Sequence, residues 1–421
     1  MLRRCLFLAA LGLAMLVPPA AAADYVPGEV IVRYADDAGR AERAATQRAT
    51  GVGEPRVFAP RTRVLRIRDG QSVGATVAEL RRRPGVATAV PNYLARASFL
   101  PLDPGNTGRP GGWQFLQWNF LAGVGVNAPV AWDNVLRVGR PGARGVTIAV
   151  LDTGVAYANR GRFRRSPDLG GPRFKSGYDF VDGDPYPNDA NGHGTHVAST
   201  IAENINNGIG VTGLAYGAKI LPVRVLNGAG IGDVAVIARG IRYAASHGAQ
   251  VINLSFELSE RVTAFDIPDL LSALRYARRK GVLVVGSSGN EASEIVAYPA
   301  RSDDVLSVGA TTEHGCLADY SNGGVGLDLV APGGGPDADL PGEPNCRPKG
   351  PRGRDIVQMT FESSVRRFGL PTGYKGTSMA AETISSVAPC ARASSAAAAT
   401  AFCAVAEPSV PTTMQRNTAR A

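Results

Sequence analysis

The pattern of hydrophobic and polar residues changes near residue 99 and divides the chain into two parts. Before residue 99, short segments that alternate apolar and polar side chains, as strands do, are separated by segments with helical spacing. The predicted order is strand, helix, strand, helix, strand, at residues 26–34, 41–50, 63–68, 73–82 and 86–94. This order predicts a small α+β unit with an open sheet over residues 24–98.

Residues 99–112 are rich in proline and glycine and predict a linker. After it, continuous apolar segments replace the alternating ones, at 145–151, 219–226, 250–254, 281–285 and 305–308. Helical patterns separate most of them, at 194–202, 232–247 and 268–280. Buried strands that alternate with helices predict an α/β fold, a mostly parallel sheet with helices on both faces. Functional side chains would gather at the carboxyl ends of its strands.

The first residues are typical of an export signal. Two arginines, Arg3 and Arg4, precede an apolar run from Leu6 to Val17, and three alanines follow at 21–23. The run is too short to cross a bilayer, and a short buried helix is the alternative. We predict a signal peptide at residues 1–23, a secreted protein, and no membrane span in the mature form.

The composition and net charge of the chain do not change this interpretation. The chain has 421 residues, 44% of them hydrophobic and 19% charged, with a net charge of +9. Most of the positive charge comes from scattered arginines, without the basic stripe or aromatic platform of a nucleic-acid surface. We expect no nucleic-acid partner, and we expect a monomer.

Three motifs carry candidate chemistry: Leu-Asp-Thr-Gly around Asp152, Asn-Gly-His-Gly-Thr-His around His193, and Gly-Thr-Ser-Met-Ala-Ala around Ser378. Alone, the aspartate could be a salt-bridge partner and the serine a helix N-cap. His193 and His196 could bind a metal, as in a metallopeptidase, but the glutamate-bearing pattern of zinc peptidases is absent from the sequence. That alternative would require chelator-sensitive activity that survives loss of Ser378.

Together the three residues form a chemical unit. A serine hydroxyl becomes a good nucleophile when a base takes its proton, and a neutral imidazole can do so and later protonate the leaving amine. A buried carboxylate fixes the imidazole tautomer and stabilises its charged form. A helix N-terminus at Ser378 would also favour developing negative charge.

The order Asp152, His193, Ser378 and all three motifs resemble those of the subtilases. The resemblance implies a subtilisin-like fold and a serine endopeptidase that forms an acyl-enzyme on Ser378. Residues 284–290 resemble the segment that supplies the oxyanion-hole asparagine of that family. This implies that the Asn290 amide joins the Ser378 backbone N–H in binding the oxyanion. An asparagine in a simple turn is the alternative.

The same resemblance implies two edges that pair with an extended substrate, and a primary specificity pocket. The edges would include Gly230 and Gly232 on one side and Ser255, Phe256 and Glu257 on the other. The pocket would be lined by Ser287, Ser288, Gly289 and Ala297. The family often has glycine where this chain has Glu257, whose carboxylate would either favour basic substrate residues or point to solvent.

A structural calcium site is implied as well. Asp168 and the loop at 205–211 resemble the strong calcium site of many subtilases. Its oxygen ligands would be the side chains of Asp168 and Asn207 and the carbonyls of Ile205, Ile209 and Val211. An Asn-Gly loop without an ion is the alternative. No cofactor is expected for catalysis.

The segment 24–98 resembles the inhibitory propeptide of subtilases. The implied role is to assist folding, to act as an intramolecular inhibitor in the cleft, and then to be removed by self-cleavage. An accessory domain that stays attached is the alternative.

Five cysteines are present, of which Cys5 lies in the predicted signal and Cys390 and Cys403 lie near the C-terminus. Cys316 and Cys346 share a loop-rich region, and their spacing matches no metal motif. In an exported protein we expect a disulfide between them.

The resemblance covers a peptidase domain at 113–381 and stops at residue 382. Pro389 is expected to end the helix that begins near Ser378, and an Ala/Ser-rich run follows. We interpret residues 382–421 as an atypical tail, either frame-shifted or truncated, or a genuine divergence. The alternative function is therefore a catalytically defective or binding-only protein of the same fold.

Overall fold

The computed structural model describes residues 25–68, 70–94, 99–137, 139–170 and 173–392. It divides into two compact units, with the boundary between Ser98 and Phe99. The predicted signal peptide at 1–23 and the tail beyond residue 392 lie outside the described residues. No helix in the described ranges is both long and apolar enough to cross a membrane.

The first unit is a small α+β fold, as predicted. Its elements are β1 (Tyr25–Tyr34), α1 (Arg40–Ala49), β2 (Val52–Ala59), β3 (Thr62–Ile67), α2 (Val73–Arg81) and β4 (Val86–Tyr93). The strands form an antiparallel sheet in the order β2-β3-β1-β4. Strand β2 was not predicted, because Gly53 and Pro55 interrupt its alternation and Val57 and Phe58 are exposed.

The second unit contains the remaining elements. They are α3 (Ala128–Arg137), β5 (Thr147–Asp152), β6 (Tyr178–Asp179), α4 (His193–Ala202), β7 (Lys219–Arg224), α5 (Val234–Ser246), β8 (Val251–Leu254), α6 (Pro268–Arg279), β9 (Leu283–Ser287), β10 (Leu306–Thr311), β11 (Leu329–Pro332), β12 (Thr360–Ser364), β13 (Arg367–Gly369) and α7 (Thr377–Arg392). Seven strands form a parallel sheet in the order β11-β10-β9-β8-β5-β7-β6, and β12 and β13 form an antiparallel hairpin.

Helices cover both faces of this sheet, which confirms the predicted fold class. Successive side chains of β5 point to opposite faces, so Leu151 packs in the core beneath α5 and α6 while Val150 packs in the core beneath α4 and α7. Both side chains are fully buried, which explains why the strand reads as a continuous apolar run.

Residues 99–112 do not form an open linker. The Gly105 N–H donates to the Gly210 carbonyl (2.8 Å), and the Trp113 indole N–H donates to the Pro101 carbonyl (2.9 Å). Asp103 is fully buried. These contacts fold the segment into the second unit.

The expectation that Pro389 ends the last helix early was wrong, since α7 continues to Arg392. Proline removes one backbone donor, but it lies in the final turns, after a stretch that packing already holds in place. Ala380 and Ala381 are fully buried in the core that α7 shares with α4.

Candidate active site

A buried carboxylate and an imidazole pair at the carboxyl end of β5. Asp152 is the last residue of that strand and is fully buried, and His193 begins α4. His193 Nδ1 lies 2.9 Å from Asp152 Oδ1 and 3.0 Å from Oδ2. With the carboxylate ionised, the proton of a neutral imidazole lies on Nδ1, which leaves the Nε2 lone pair free to accept one.

The turn before α4 is built around Asp189, which the sequence-based assignment overlooked. This buried carboxylate accepts hydrogen bonds from the backbone N–H of Gly192 (3.0 Å) and Thr195 (2.9 Å) and from the Thr153 hydroxyl (2.9 Å). Gly192 has a φ of +113°, a conformation that favours glycine. An aspartate just before an Asn-Gly turn and a helix is a capping signal that could have revealed this role of fixing His193.

Ser378 lies in the first turn of α7 and faces the segment that follows β8. Its hydroxyl donates to the Ser255 carbonyl (2.9 Å), and the Ser255 hydroxyl donates to the Ser378 carbonyl (3.1 Å). Strand β8 pairs in parallel with β5, so Ser255 and Asp152 lie at the carboxyl ends of neighbouring strands. All three predicted triad residues therefore belong to this edge of the sheet.

Asn290 is held at both ends of its amide. Its Oδ1 accepts hydrogen bonds from the Thr377 backbone N–H (2.8 Å) and the Thr377 hydroxyl (3.2 Å). Its Nδ2 donates to both carboxylate oxygens of Glu257, at 3.2 and 3.1 Å. Glu257 therefore does not point away into solvent, which was one of the two possibilities that the sequence left open.

Burial and neighbouring charges shift the pKa values of His193 and Glu257. Burial alone would lower the pKa of His193, but the charge and hydrogen bond of Asp152, with the fields of Glu382 and Asp189, raise it from 6.5 to about 9. Burial also raises the pKa of Glu257, against the hydrogen bond from Asn290 that lowers it. Both shifts follow from the enclosure of charge in one small region.

The residues predicted to line the specificity pocket are linked by short contacts. The Ser287 hydroxyl donates to the Phe256 carbonyl (3.2 Å), and the Ala297 backbone N–H donates to the Ser288 carbonyl (2.8 Å). Gly289 has a φ of +118°, where a side chain would be strained. These hydrogen bonds join the 255–257 edge, the end of β9 and the 289–297 loop around one region.

The other predicted edge lies in the loop between β7 and α5. Gly230 is exposed with a φ of +77°, and the loop is tied to the turn before His193 because the Asn191 side chain donates to the Gly228 carbonyl (3.1 Å). Gly232, together with Ile231, lines a cavity of about 330 Å³ beside this loop.

The predicted calcium loop packs against two buried carboxylates, one of which the sequence did not reveal. Asp168 Oδ1 accepts from the Asn207 side-chain amide (2.7 Å), and Asp103 Oδ1 accepts from the Asn207 backbone N–H (3.2 Å). The second oxygen of each carboxylate is buried and has no hydrogen-bond partner. Burial raises the pKa of both groups.

The same loop supplies the three predicted carbonyl ligands, those of Ile205, Ile209 and Val211. A hydrogen bond from the Ile209 N–H to Asn207 Oδ1 (2.9 Å) helps to shape it. In the part of the chain that the structure describes, no group of three or more His, Cys, Asp or Glu side chains is arranged to hold a metal ion. A cation here would depend on amide and carbonyl oxygens beside the two carboxylates.

Two further links stabilise the unit around the site. Cys316 and Cys346 form a disulfide with a Cα–Cα distance of 4.9 Å. Glu382 of α7 is fully buried, accepts from the Thr200 hydroxyl (2.5 Å) and lies 3.5 Å from Nδ1 of the equally buried His196. His196 therefore faces a carboxylate of α7.

Comparison with known proteins agrees with this geometry. Residues 143–408 match the model of the subtilase family (Peptidase_S8), well over half of the chain. The chain belongs to the subtilase family. Residues 14–92 match the fervidolysin N-terminal prodomain, so the first unit is a prodomain of this type.

Named relatives are serine proteases. The chain is 38% identical over 312 residues to a thermophilic serine proteinase of a Bacillus species, covering 73% of this chain and 70% of the relative. It is 40% identical over 217 residues to subtilisin Savinase of Lederbergia lenta, covering 52% of this chain and 72% of the relative. A solved protease structure from Pseudoalteromonas arctica matches with 29% identity and a TM-score of 0.53, over 70% of this chain and 87% of that one. The protein is thus a subtilisin-like serine-type endopeptidase with a propeptide.

Proposed function

We propose that this protein is a secreted endopeptidase, made as a precursor that processes itself, in which Ser378 is the nucleophile and His193 the base. The observation that carries this proposal is the two-oxygen contact of Asp152 with His193 Nδ1, at 2.9 and 3.0 Å, in a fully buried carboxylate. That contact leaves Nε2 as the free base at the strand edge where Ser378 also lies.

The proposed reaction has two halves. His193 Nε2 takes the Ser378 proton as Oγ attacks the peptide carbonyl, and the Oγ–carbon bond forms. The imidazolium then gives this proton to the leaving amine as the carbon–nitrogen bond breaks. In the second half, water attacks the acyl-enzyme, its proton passes to His193 and then back to Ser378 Oγ, and the acid product leaves. Asp152 stabilises the imidazolium in both halves.

The negative oxygen of each tetrahedral intermediate would be bound by Asn290 Nδ2 and the Ser378 backbone N–H. Two contacts support this role for Asn290, because Thr377 fixes its carbonyl end and Thr377 directly precedes the nucleophile. In subtilisin, removal of such a donor raises the activation free energy by about 2.7–4 kcal/mol, because the donor acts mainly in the transition state.

An extended substrate would pair its backbone with the 255–257 edge and with Gly230 and Gly232. Main-chain hydrogen bonds would give affinity, and the pocket lined by Ser287, Ser288, Gly289 and Ala297 would give selectivity. The exposure of Gly230, where a Cβ would meet no atom closer than 4.0 Å, leaves room for a second strand.

We propose a structural calcium ion at the loop that contains Asn207. Asp103 and Asp168 each have one buried oxygen without a partner, and a divalent cation would neutralise both. Asp103, Asp168, the Asn207 side chain and the carbonyls of Ile205, Ile209 and Val211 supply oxygen ligands, which calcium prefers. The ion would stabilise the unit without taking part in the chemistry.

The precursor order that we propose is a signal peptide at 1–23, an inhibitory propeptide at 24–98 and a mature protein that begins near the boundary at residue 99. The prodomain match and the division of the chain at that residue support it. Nothing in the comparisons supports the alternative of a defective or binding-only product.

Self-processing tests the proposal. Purified precursor should shorten to a product that begins near residue 99, and Ser378→Ala precursor should stay at full length. If Ser378→Ala precursor is processed at the wild-type rate in the absence of other proteases, the nucleophile is assigned wrongly.

A further inference from the structure

One three-residue segment, residues 255–257, contacts both the proposed nucleophile and the proposed oxyanion donor. The Ser255 carbonyl accepts the hydrogen bond of the Ser378 hydroxyl (2.9 Å). Two residues later, the Glu257 carboxylate accepts both contacts from Asn290 Nδ2, at 3.2 and 3.1 Å. The nucleophile and the oxyanion donor are therefore both bound to the edge that a substrate strand would occupy.

The Glu257 carboxylate lies in a poor place for a negative charge. It is half-buried, its ionisable neighbours are Glu291 and His193, and among the described residues no lysine or arginine forms an ion pair with it. Burial and the negative charge of Glu291 raise its pKa, and the amide of Asn290 lowers it. The carboxylate is thus stabilised in the cleft mainly by the amide that the reaction would need.

Asn290 does not need Glu257 for its orientation. The Thr377 backbone N–H (2.8 Å) and hydroxyl (3.2 Å) already fix the carbonyl end of the amide, which directs Nδ2 to the opposite side. A substrate carbonyl and the Glu257 carboxylate would therefore compete for the same two amide hydrogens.

We propose that Glu257 is a gating residue, which occupies the Asn290 amide in the free enzyme and must be displaced before the oxyanion can form. The inference rests on the proposed function of Ser378 and Asn290. Glu257 would then destabilise the transition state in two ways. It competes for the Asn290 amide, and its negative charge lies beside the forming oxyanion. The gate slows acylation of ordinary peptides without changing the chemical steps.

The test is peptidase kinetics of Glu257→Gly and Glu257→Gln with an uncharged peptide substrate. We expect kcat/KM to rise by about 10-fold or more for the glycine variant, because a hydrogen bond to a charged acceptor no longer has to be broken. The isosteric glutamine variant keeps a neutral acceptor and should show a smaller rise. A peptide aldehyde, which forms a tetrahedral adduct with an oxyanion, should bind more tightly by the same factors. Glu294→Gln, which removes an exposed carboxylate of the neighbouring loop, is the matched control and should change neither.

The double variants with Asn290→Ala separate gating from a general effect on the fold. The part of the Glu257→Gly gain that comes from competition for the amide should disappear in the Asn290→Ala background, so the gain there should be clearly smaller and due to charge alone. Lower or unchanged kcat/KM in both Glu257 variants, with an unchanged melting temperature, would show that Glu257 supports the oxyanion hole or has no role there. The proposed function itself would be rejected by a different outcome: neither the wild-type protein nor the two Glu257 variants process themselves or react with a fluorophosphonate.

Discussion

At the residue scale, His193 sets the pH range in which the protein should work. With a pKa of about 9, the imidazole is mostly protonated at neutral pH, and only the small neutral fraction can act as a base. Because only the neutral form takes the serine proton, kcat/KM should rise with pH and reach half its maximum near pH 9. A pH–rate profile from 6 to 11 with a neutral peptide measures this midpoint, and a midpoint near the unperturbed value of about 6.5 would contradict the raised pKa of His193.

Asp152→Asn provides the matched control for that profile. The amide keeps the size of the side chain but lacks the negative charge that raises the pKa of His193 and selects its tautomer. Activity should fall by about 10⁴-fold, and the remaining activity should have a lower midpoint.

Asn290→Ala should lower kcat by about 10²–10³-fold with little change in KM, because its amide acts on charge that exists only in the transition state. Steady-state kinetics of purified variant and wild type measure the split. A change confined to KM would place Asn290 in ground-state binding instead.

The sequence predicted the residues that lie within local motifs. Asp152, His193 and Ser378 each stand in a short segment whose neighbours are themselves informative. Asp103 could not be found this way, because it meets Asp168 and Asn207 only through the packing of a segment that reads as a linker. The contact of Glu257 with Asn290 depends on two side-chain conformations across a sequence separation of 33 residues.

At the element scale, α4 and α7 carry His193 and Ser378, and a buried polar contact joins these helices. Glu382 of α7 accepts from Thr200 of α4 and faces His196. Glu382→Ala should lower the free energy of unfolding by about 1–3 kcal/mol, since it leaves buried polar groups without a partner. Glu382→Gln, which can still accept from Thr200, should lose less. Urea denaturation measures both, and an unchanged midpoint for the alanine variant would show that this contact does not hold the helices together.

The element predictions succeeded where strands and helices are long and regular, as for β5, β7 and α5. They failed where local signals conflicted with packing. Strand β2 was missed because Gly53 and Pro55 interrupt its pattern. Helix α7 was expected to end early at Pro389, because the burial of its earlier turns cannot be predicted from the sequence.

At the scale of the whole molecule, the disulfide closes a loop across 30 residues of sequence. In the chain-entropy account, such a cross-link stabilises the fold by about 3–4 kcal/mol. The double variant Cys316→Ser/Cys346→Ser should therefore melt at a lower temperature than wild type, and reducing agent should lower the wild-type melting temperature but not that of the variant. Equal melting temperatures would mean that the bond adds no stability.

Calcium is expected to stabilise the whole second unit. Excess chelator should lower the melting temperature, because an ion that binds only the folded state adds about 2.7 kcal/mol at 100 times its dissociation constant. The double variant Asp103→Asn/Asp168→Asn should lose this dependence, whereas Asp319→Asn, at an exposed carboxylate, should keep it. Melting curves that do not respond to calcium would exclude the proposed site.

Fluorophosphonate labelling followed by peptide mass spectrometry shows whether Ser378 is a nucleophile activated by His193. We expect one adduct on Ser378 in the wild-type protein, and none in Ser378→Ala. The labelling rate should rise with pH toward 9 and fall sharply in His193→Ala. No adduct in folded protein, or an equally fast adduct in His193→Ala, would contradict it.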